Sequence, residues 1–125
     1  MNENQIEEKS FDFAARIVNL CRFLQESQKE YVLSKQLLRS GTSIGANVAE
    51  AQHAQSRADF LAKMKIASKE ASETQYWLKL LYKTEYLNET QYKSIRSDID
   101  EIVSIIRNIA NPAVAKEHLM QRFVL

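Results

Sequence analysis

The sequence predicts an all-α protein, an antiparallel up-down-up-down bundle of four helices in a single domain over residues 1–125. Two observations support this prediction: the chain contains only two glycines and one proline, and apolar residues recur at helical spacing in four successive segments. Turn-rich all-β folds need many more of both residues in their hairpins. With 45% hydrophobic and 26% charged residues, the composition is that of a globular domain rather than a disordered chain.

The first helix is predicted to follow a polar lead-in, residues 1–9, and to begin at Ser10, whose side chain is suited to an N-cap. Apolar residues stop recurring at helical spacing near Ser27, where we expect the helix to end. The apolar residues of this stripe recur at helical spacing and are Phe13, Ile17, Leu20, Cys21 and Leu24.

The second helix is predicted to begin with Ser34 as its cap and to continue without a break. Its inner face advances in steps of three and four residues and comprises Leu37, Gly41, Ile44, Val48 and Gln52. The segment Ser40-Gly41-Thr42-Ser43 alone is a turn signal, but the stripe keeps its phase on both sides of it. Gly41 and Gly45 each cost about 1 kcal/mol inside a helix, so we expect a neighbouring backbone to approach closely there.

The third helix is predicted to start at Ser56 and Asp59, because a serine suits the N-cap and an acidic first turn suits the positive end of a helix. Its stripe alternates steps of four and three, a pattern suited to near-parallel packing in a bundle. The stripe residues are Phe60, Met64, Ala67, Ala71, Thr74, Leu78 and Leu81.

The fourth helix is predicted to begin at Asn88, because Gln91 follows it at the spacing of a capping box. Asn111-Pro112 is expected to end this helix. Its apolar face consists of Tyr92, Ile95, Ile99, Ile102, Val103, Ile106 and Ile109. Residues 111–125 form a tail that is too apolar to be simply solvated, with Val114, Leu119, Met120, Phe123, Val124 and Leu125.

Residues typical of catalysis are scarce. His53 and His118 are the only histidines, and Glu50 with His53 is the single Glu-x-x-His match, whereas di-iron bundles use this pair on two helices. Cys21 lies on an apolar face, which favours a buried structural thiol over a nucleophile. We therefore predict no enzymatic activity, no cofactor, no metal and no small-molecule substrate; a metal site around Glu50 and His53 is the least favoured alternative.

The bulk properties of the chain point to the cytoplasm. The sequence has no run of about 18 apolar residues that would cross a membrane, and its polar, acidic start does not resemble a secretory signal. A single cysteine excludes an intramolecular disulfide and fits a reducing compartment. The net charge of +1 argues against a strongly basic nucleic-acid binder.

Two stripes lie away from the predicted core. On the second helix the stripe consists of Arg39, Ser43, Ala46 and Glu50. On the third helix it consists of Ile66, Glu70, Glu73, Trp77 and Leu80, turned roughly 120° from the core seam. An exposed Trp flanked by Ile and Leu favours a contact surface, across which Arg39 would pair with Glu70 or Glu73. The alternative is a broad core face beside solvated charges.

The third helix also carries a set of basic residues: Lys63, Lys65, Lys69, Lys79 and Lys83, with Arg57 nearby. Phosphate binding needs such clustering. Asp59, Glu70, Glu73 and Glu85 interleave with them in the sequence, however, and mixed charges are typical of a solvated helix face. We favour the solvated face.

Three segments of the chain resemble one known family. These are Ser10–Phe13, Gln36–Ala51 and Asp59–Leu78. They resemble bacterial four-helix bundle proteins related to the protein encoded by intervening sequences in 23S ribosomal RNA genes. The resemblance implies a ring-like homopentamer. It also implies distant kinship to the accessory variability determinant of diversity-generating retroelements, a basic protein that binds nucleic acid and works with a reverse transcriptase.

The resemblance also assigns individual positions. Arg39, Ser43, Asn47 and Glu50 match the family's first motif, and Glu73 matches the acidic position of the second. Two features depart from the pattern. Residue 51 is alanine where the family usually has glycine, and the net charge of +1 differs from that of the basic retroelement relatives.

The sequence thus favours a non-enzymatic homo-oligomer, expected to be a pentamer, that acts as an assembly or interaction module. The interface candidates are Arg39, Ser43, Asn47, Glu50, Ile66, Glu70, Glu73 and Trp77. The alternative is a nucleic-acid-binding or ribonucleoprotein accessory protein, with Arg57, Lys63, Lys65 and Lys69 as the candidate contacts.

Overall fold

Four segments of apolar periodicity give four helices. The computed structural model describes the backbone of residues 3–110 and the side chains of residues 5–109. In chain order the helices are α1 (Glu3–Glu26), α2 (Leu33–Ala51), α3 (Arg57–Lys83) and α4 (Glu89–Ala110), and this range contains no strand. The all-α prediction is confirmed. The predicted stop at Asn111-Pro112 and the apolar tail lie outside the described residues.

Contacts between the helices show the direction in which each one runs. At each interface between two helices, residues that come later in one helix contact residues that come earlier in its neighbour. Neighbouring helices are therefore antiparallel. Each helix packs against the next one in the chain, and α4 packs against α1, so the four helices form a closed bundle. The contacting pairs are Ser10–Gly45 and Ile17–Gly41, Ser40–Thr74 and Glu50–Lys63, Gln75–Asp100 and Tyr82–Tyr92, and Lys9–Glu101 and Arg16–Asp98.

The core is built from the predicted stripes. Every predicted stripe residue of α3 is buried, as its alternation of four and three requires. In the other helices Leu20 and Ile109 are only partly buried, and Gln52 follows the end of α2. Ile6 and Ile105 extend the stripes of α1 and α4 and are almost completely buried, although the sequence analysis did not place them there.

The start of α1 corrects one prediction. The helix begins at Glu3, so Ser10 lies inside it, and the Ser10 hydroxyl donates to the carbonyl of Glu7 at 3.2 Å instead of capping the helix. Ile6 lies seven residues before Phe13, about two turns along the same face, and is fully buried. Burial of that side chain favours a helix that extends back past the local capping signal.

The start of α2 corrects a second prediction, because Glu30 and not Ser34 satisfies its first backbone N–H groups. The Glu30 carboxylate accepts hydrogen bonds from the backbone N–H groups of Val32, Leu33 and Ser34, at 3.2, 3.0 and 2.7 Å. Ser34 is the second residue of α2, and its hydroxyl donates to the Glu30 carbonyl at 2.8 Å. A glutamate that reaches forward from the preceding turn is not a usual cap, which is why the pattern of the sequence pointed to the serine.

The middle of α2 confirms the prediction of a continuous helix and of close approach. A Cβ atom added to Gly41 would lie 2.9 Å from both Cγ1 and Cγ2 of Ile17. One added to Gly45 would lie 3.1 Å from the backbone carbonyl oxygen of Ser10. The two glycines therefore allow α1 to pack directly against the backbone of α2.

The starts of α3 and α4 also agree with prediction. The Ser56 hydroxyl accepts a hydrogen bond from the Asp59 N–H at 3.0 Å. At α4 the Asn88 side chain accepts from the Gln91 N–H at 2.8 Å, and the Gln91 side chain accepts from the Asn88 N–H at 2.9 Å. This reciprocal capping box fixes the turn that leads into α4.

Candidate functional site

The predicted charged partners of the off-core stripes meet between α2 and α3 within one chain. The guanidinium of Arg39 forms ion pairs with Glu70, at 3.2 Å, and with Glu73. Glu73 also accepts a hydrogen bond from the indole Nε1–H of Trp77 at 3.0 Å. Arg39 remains half-exposed, while Glu70 is mostly covered. The four side chains form one hydrogen-bonded network at the surface.

A buried hydroxyl pair positions this network. Ser40 and Thr74 are both fully buried, and their hydroxyl groups share a hydrogen bond of 2.9 Å. The Thr74 hydroxyl also lies 2.8 Å from the Glu70 carbonyl. Ser40 follows Arg39 and Thr74 follows Glu73, so the register that joins the hydroxyl groups also brings the charges together. The sequence analysis named Ser40 only as part of a turn signal, although it lies three residues after Leu37 on the inner face.

Apolar side chains lie beside the network on α3. Ile66 is 43% exposed and Tyr76 is 59% exposed. Trp77 is partly buried against the core and not exposed as expected, because its ring packs on the core residues; the ring meets that of Tyr76 edge to face with centroids 5.1 Å apart. We call the surface formed by Arg39, Ile66, Glu70, Glu73 and Trp77 the α2/α3 face. It combines internally paired charges with the exposed side chain of Ile66 and the partly exposed ring of Trp77.

The remaining interface candidates lie along the same seam. Ser43 and Asn47 are partly buried, and the Asn47 side-chain amide donates to the Ser43 carbonyl at 2.9 Å. Glu50 is exposed and pairs with Lys63 at 3.5 Å. The structure thus brings the predicted α2 residues to the edge of the α2/α3 face rather than scattering them over the bundle.

The basic candidates separate into two groups. Lys63 lies toward α2 and pairs with Glu50, while the guanidinium of Arg57 lies 4.8 Å above the ring of Phe60. Lys65 and Lys69 are exposed on another side of α3, where a line of exposed residues advances in steps of four and three. We call this line the lysine stripe; its members are Lys65, Lys69, Ser72, Tyr76, Lys79 and Lys83.

The acidic residues that interleave with these lysines in the sequence do not share their face. Glu70 and Glu73 are held by Arg39. The Asp59 carboxylate lies at the helix start and accepts from the Gln55 N–H at 3.3 Å. Glu85 follows the end of α3. The helix phase therefore separates charges that appear mixed in the sequence.

The side chains that the sequence offered for catalysis or metal binding do not form a site among the described residues. Cys21 is buried, as predicted, with Sγ 3.3 Å from the Ser34 carbonyl oxygen, and burial raises the pKa of its thiol to about 11. His53 is exposed in the turn after α2, and His118 lies outside the described residues. Among the residues that the structure describes, no three His, Cys, Asp or Glu side chains converge as metal ligands would.

The four described helices all carry charged residues among their apolar ones. None of the four combines the length and the apolar character needed to cross a bilayer.

Comparisons with known proteins agree with the resemblance seen in the sequence. A family model described as 23S rRNA-intervening sequence protein matches residues 2–108. A crystal structure of a protein with unknown function, from the S23 ribosomal protein family of Bacteroides thetaiotaomicron, is 57% identical with a TM-score of 0.86. That match covers 88% of this chain and 98% of the other. The curated proteins give no match. The family model spans most of the bundle, and the chain therefore belongs to the 23S rRNA-intervening sequence protein family.

Proposed function

We propose that this protein is a non-enzymatic, cytoplasmic homo-oligomer whose bundles associate through the α2/α3 face and act as an assembly or interaction module. The observation that supports this proposal is the apolar area on that face. Ile66 is 43% exposed beside a half-buried Trp77. Exposed apolar patches of this kind mark interaction surfaces, and Trp and Arg are enriched among residues that dominate binding energy.

The charges of the α2/α3 face suit it to burial by a partner. An isolated charge is costly to remove from water, whereas a paired and hydrogen-bonded one is less so. Arg39 is already paired with Glu70 and Glu73 in the single chain. A second bundle could therefore cover this surface without leaving an unpaired charge, and the face needs little rearrangement before it binds. The number of subunits, five, comes from the family resemblance.

Light scattering or native mass spectrometry of the purified protein tests this proposal. We expect a mass of five chains at micromolar concentration. Ile66→Glu should dissociate the assembly, because it places an unpaired charge in the apolar part of the contact. Trp77→Ala should weaken it by removing a large contact residue. Because Ile66 is partly exposed, Ile66→Glu should leave the helix content unchanged in circular dichroism.

Val18→Glu is the matched control, because Val18 is an aliphatic residue of α1 with 39% exposure. It should leave the mass at five chains. A wild-type monomer would contradict oligomerisation itself. An oligomer that dissociates with Val18→Glu but tolerates Ile66→Glu would assign the contact to another face.

The lysine stripe supports a second candidate function, the binding of nucleic acid as an accessory to a ribonucleoprotein. Four lysines and the exposed ring of Tyr76 follow one face of α3. Lysines neutralise backbone phosphates, and aromatic rings stack on unpaired bases. A homo-oligomer would present several such stripes, so that weak individual contacts add up through avidity.

An electrophoretic titration with a structured RNA at several salt concentrations tests this second function. We expect binding that weakens steeply with salt, and a plot of log affinity against log salt whose slope falls in magnitude by about two for each stripe that contacts the RNA in Lys65→Gln/Lys69→Gln. Lys29→Gln/Lys35→Gln removes the same charge from exposed positions elsewhere and should have little effect. Absence of binding at low salt, or an equal loss in both variants, would exclude a role for the stripe.

A further inference from the structure

The outer side of the seam between α1 and α2 carries an apolar groove. Phe11 of α1 is 74% exposed, the largest exposure among the large apolar side chains of the described residues. Opposite it, Gly45 and Ala49 of α2 leave the groove open, and Glu7 and Glu8 line its remaining edge. The described residues of this chain leave most of the Phe11 side chain open to solvent.

The C-terminal segment, residues 111–125, has the chemistry to fill this groove. Two pairs of its apolar residues are four positions apart, the spacing with which a helix presents one face to a groove. Lys116 and Arg122 would complement the acidic edge formed by Glu7 and Glu8. The two apolar pairs are Leu119 with Phe123 and Met120 with Val124.

The position of Ala110 places this segment within reach of the groove. Lys9 pairs with Glu101 across the antiparallel α1/α4 seam, and Ala110 lies nine residues after Glu101 in α4, which is seven residues past the level of Glu7. At 1.5 Å per residue that is about 10 Å beyond Glu7 along the bundle axis, and one helix diameter, about 10 Å, separates neighbouring axes. Residues 111–118 can span up to about 27 Å when extended, which is enough to bring Leu119 to the groove.

We propose that residues 111–125 dock onto the α1/α2 groove of their own chain and cover Phe11. The family match ends at residue 108, so this contact adds to the bundle that the family shares. Neither the groove nor the segment belongs to the α2/α3 face, and the docking is independent of self-association. The segment that α4 leads into is thereby a built-in partner for an otherwise uncovered apolar surface.

Disulfide trapping in the full-length protein tests this docking. In Ala49→Cys/Gln121→Cys, mild oxidation should form an intramolecular disulfide several-fold faster than in Tyr31→Cys/Gln121→Cys. Tyr31 is exposed in the turn at the opposite end of the bundle. The native Cys21 is buried and should not compete, which Gln121→Cys alone will check. Equal rates would overturn the proposal, and a cross-linked dimer would assign the segment to a second copy.

Hydrogen–deuterium exchange gives a second test that needs no added cysteine. In the wild-type protein the amides of residues 111–125 should exchange more slowly than an unstructured chain. Phe11→Gln should accelerate that exchange several-fold, while Tyr31→Gln should not. Unprotected wild-type amides, or a tail that does not respond to Phe11→Gln, would overturn the docking whatever the oligomeric state.

Discussion

Replacement of Gly41 by valine should lower the free energy of unfolding by about 3 kcal/mol, the upper range for overpacking a core. The reason is the distance of 2.9 Å that a new Cβ atom would have to two side-chain carbons of Ile17. Urea denaturation at one fixed protein concentration measures the change, because association would otherwise alter the apparent stability.

Truncation of the Ile17 side chain to Cβ provides the control for the Gly41 prediction. Ile17→Ala alone should cost about 2–5 kcal/mol, because it leaves a cavity. The double variant should lose at least about 1 kcal/mol less unfolding free energy than the two single variants together, because the new valine would fill the cavity that Ile17→Ala leaves. Gly45→Ala should not benefit from Ile17→Ala, since its new atom would meet the Ser10 carbonyl instead. Additive losses at Gly41 and Ile17 would contradict the proposed contact.

Replacement of Glu30 by alanine should lower the free energy of unfolding by about 3 kcal/mol, more than an ordinary helix cap contributes. Its carboxylate accepts hydrogen bonds from three backbone N–H groups at the start of α2. Glu30 is also only 8% exposed, so water cannot easily replace the lost acceptor. The shift of the urea midpoint at constant slope measures the loss.

Two further variants separate the cap from a general effect of charge. Glu30→Gln keeps one acceptor oxygen and should lose about half as much stability. Glu26→Ala removes the same charge from an exposed position at the end of α1 and should change the stability by less than about 0.5 kcal/mol. If Glu26→Ala cost as much as Glu30→Ala, net charge rather than capping would be the cause.

The starts of the helices show which parts of the fold were predictable from sequence. Ser56 and Asn88 cap α3 and α4 as predicted, because their hydrogen bonds join residues three apart and need no other element. Ser10 and Ser34 were assigned by the same rule and were wrong. At Ser10 the deciding contribution is the burial of Ile6, and at Ser34 it is a carboxylate from the preceding turn. Both depend on how α1 packs and where it ends.

The candidate site was predictable to the same extent. Periodicity placed Arg39 and Glu73 off the core and named them as partners. It could not show that they meet within one chain, because their register depends on the buried Ser40–Thr74 hydrogen bond between helices. The helical spacing of the lysines along α3 already indicated the lysine stripe. The acidic neighbours obscured it, because they alternate with the lysines along the sequence, although the phase of α3 turns Glu70 and Glu73 away from the stripe and toward Arg39.

The antiparallel order of the seams has a geometric consequence for any ring built from this chain. The start of α1, the turn between α2 and α3 and the end of α4 lie at one end of the bundle, and the other two turns lie at the opposite end. Rotational symmetry about a single axis places equivalent ends on the same side. A ring of bundles standing parallel to that axis is therefore polar, with the start of α1 and the end of α4 of every subunit on one rim.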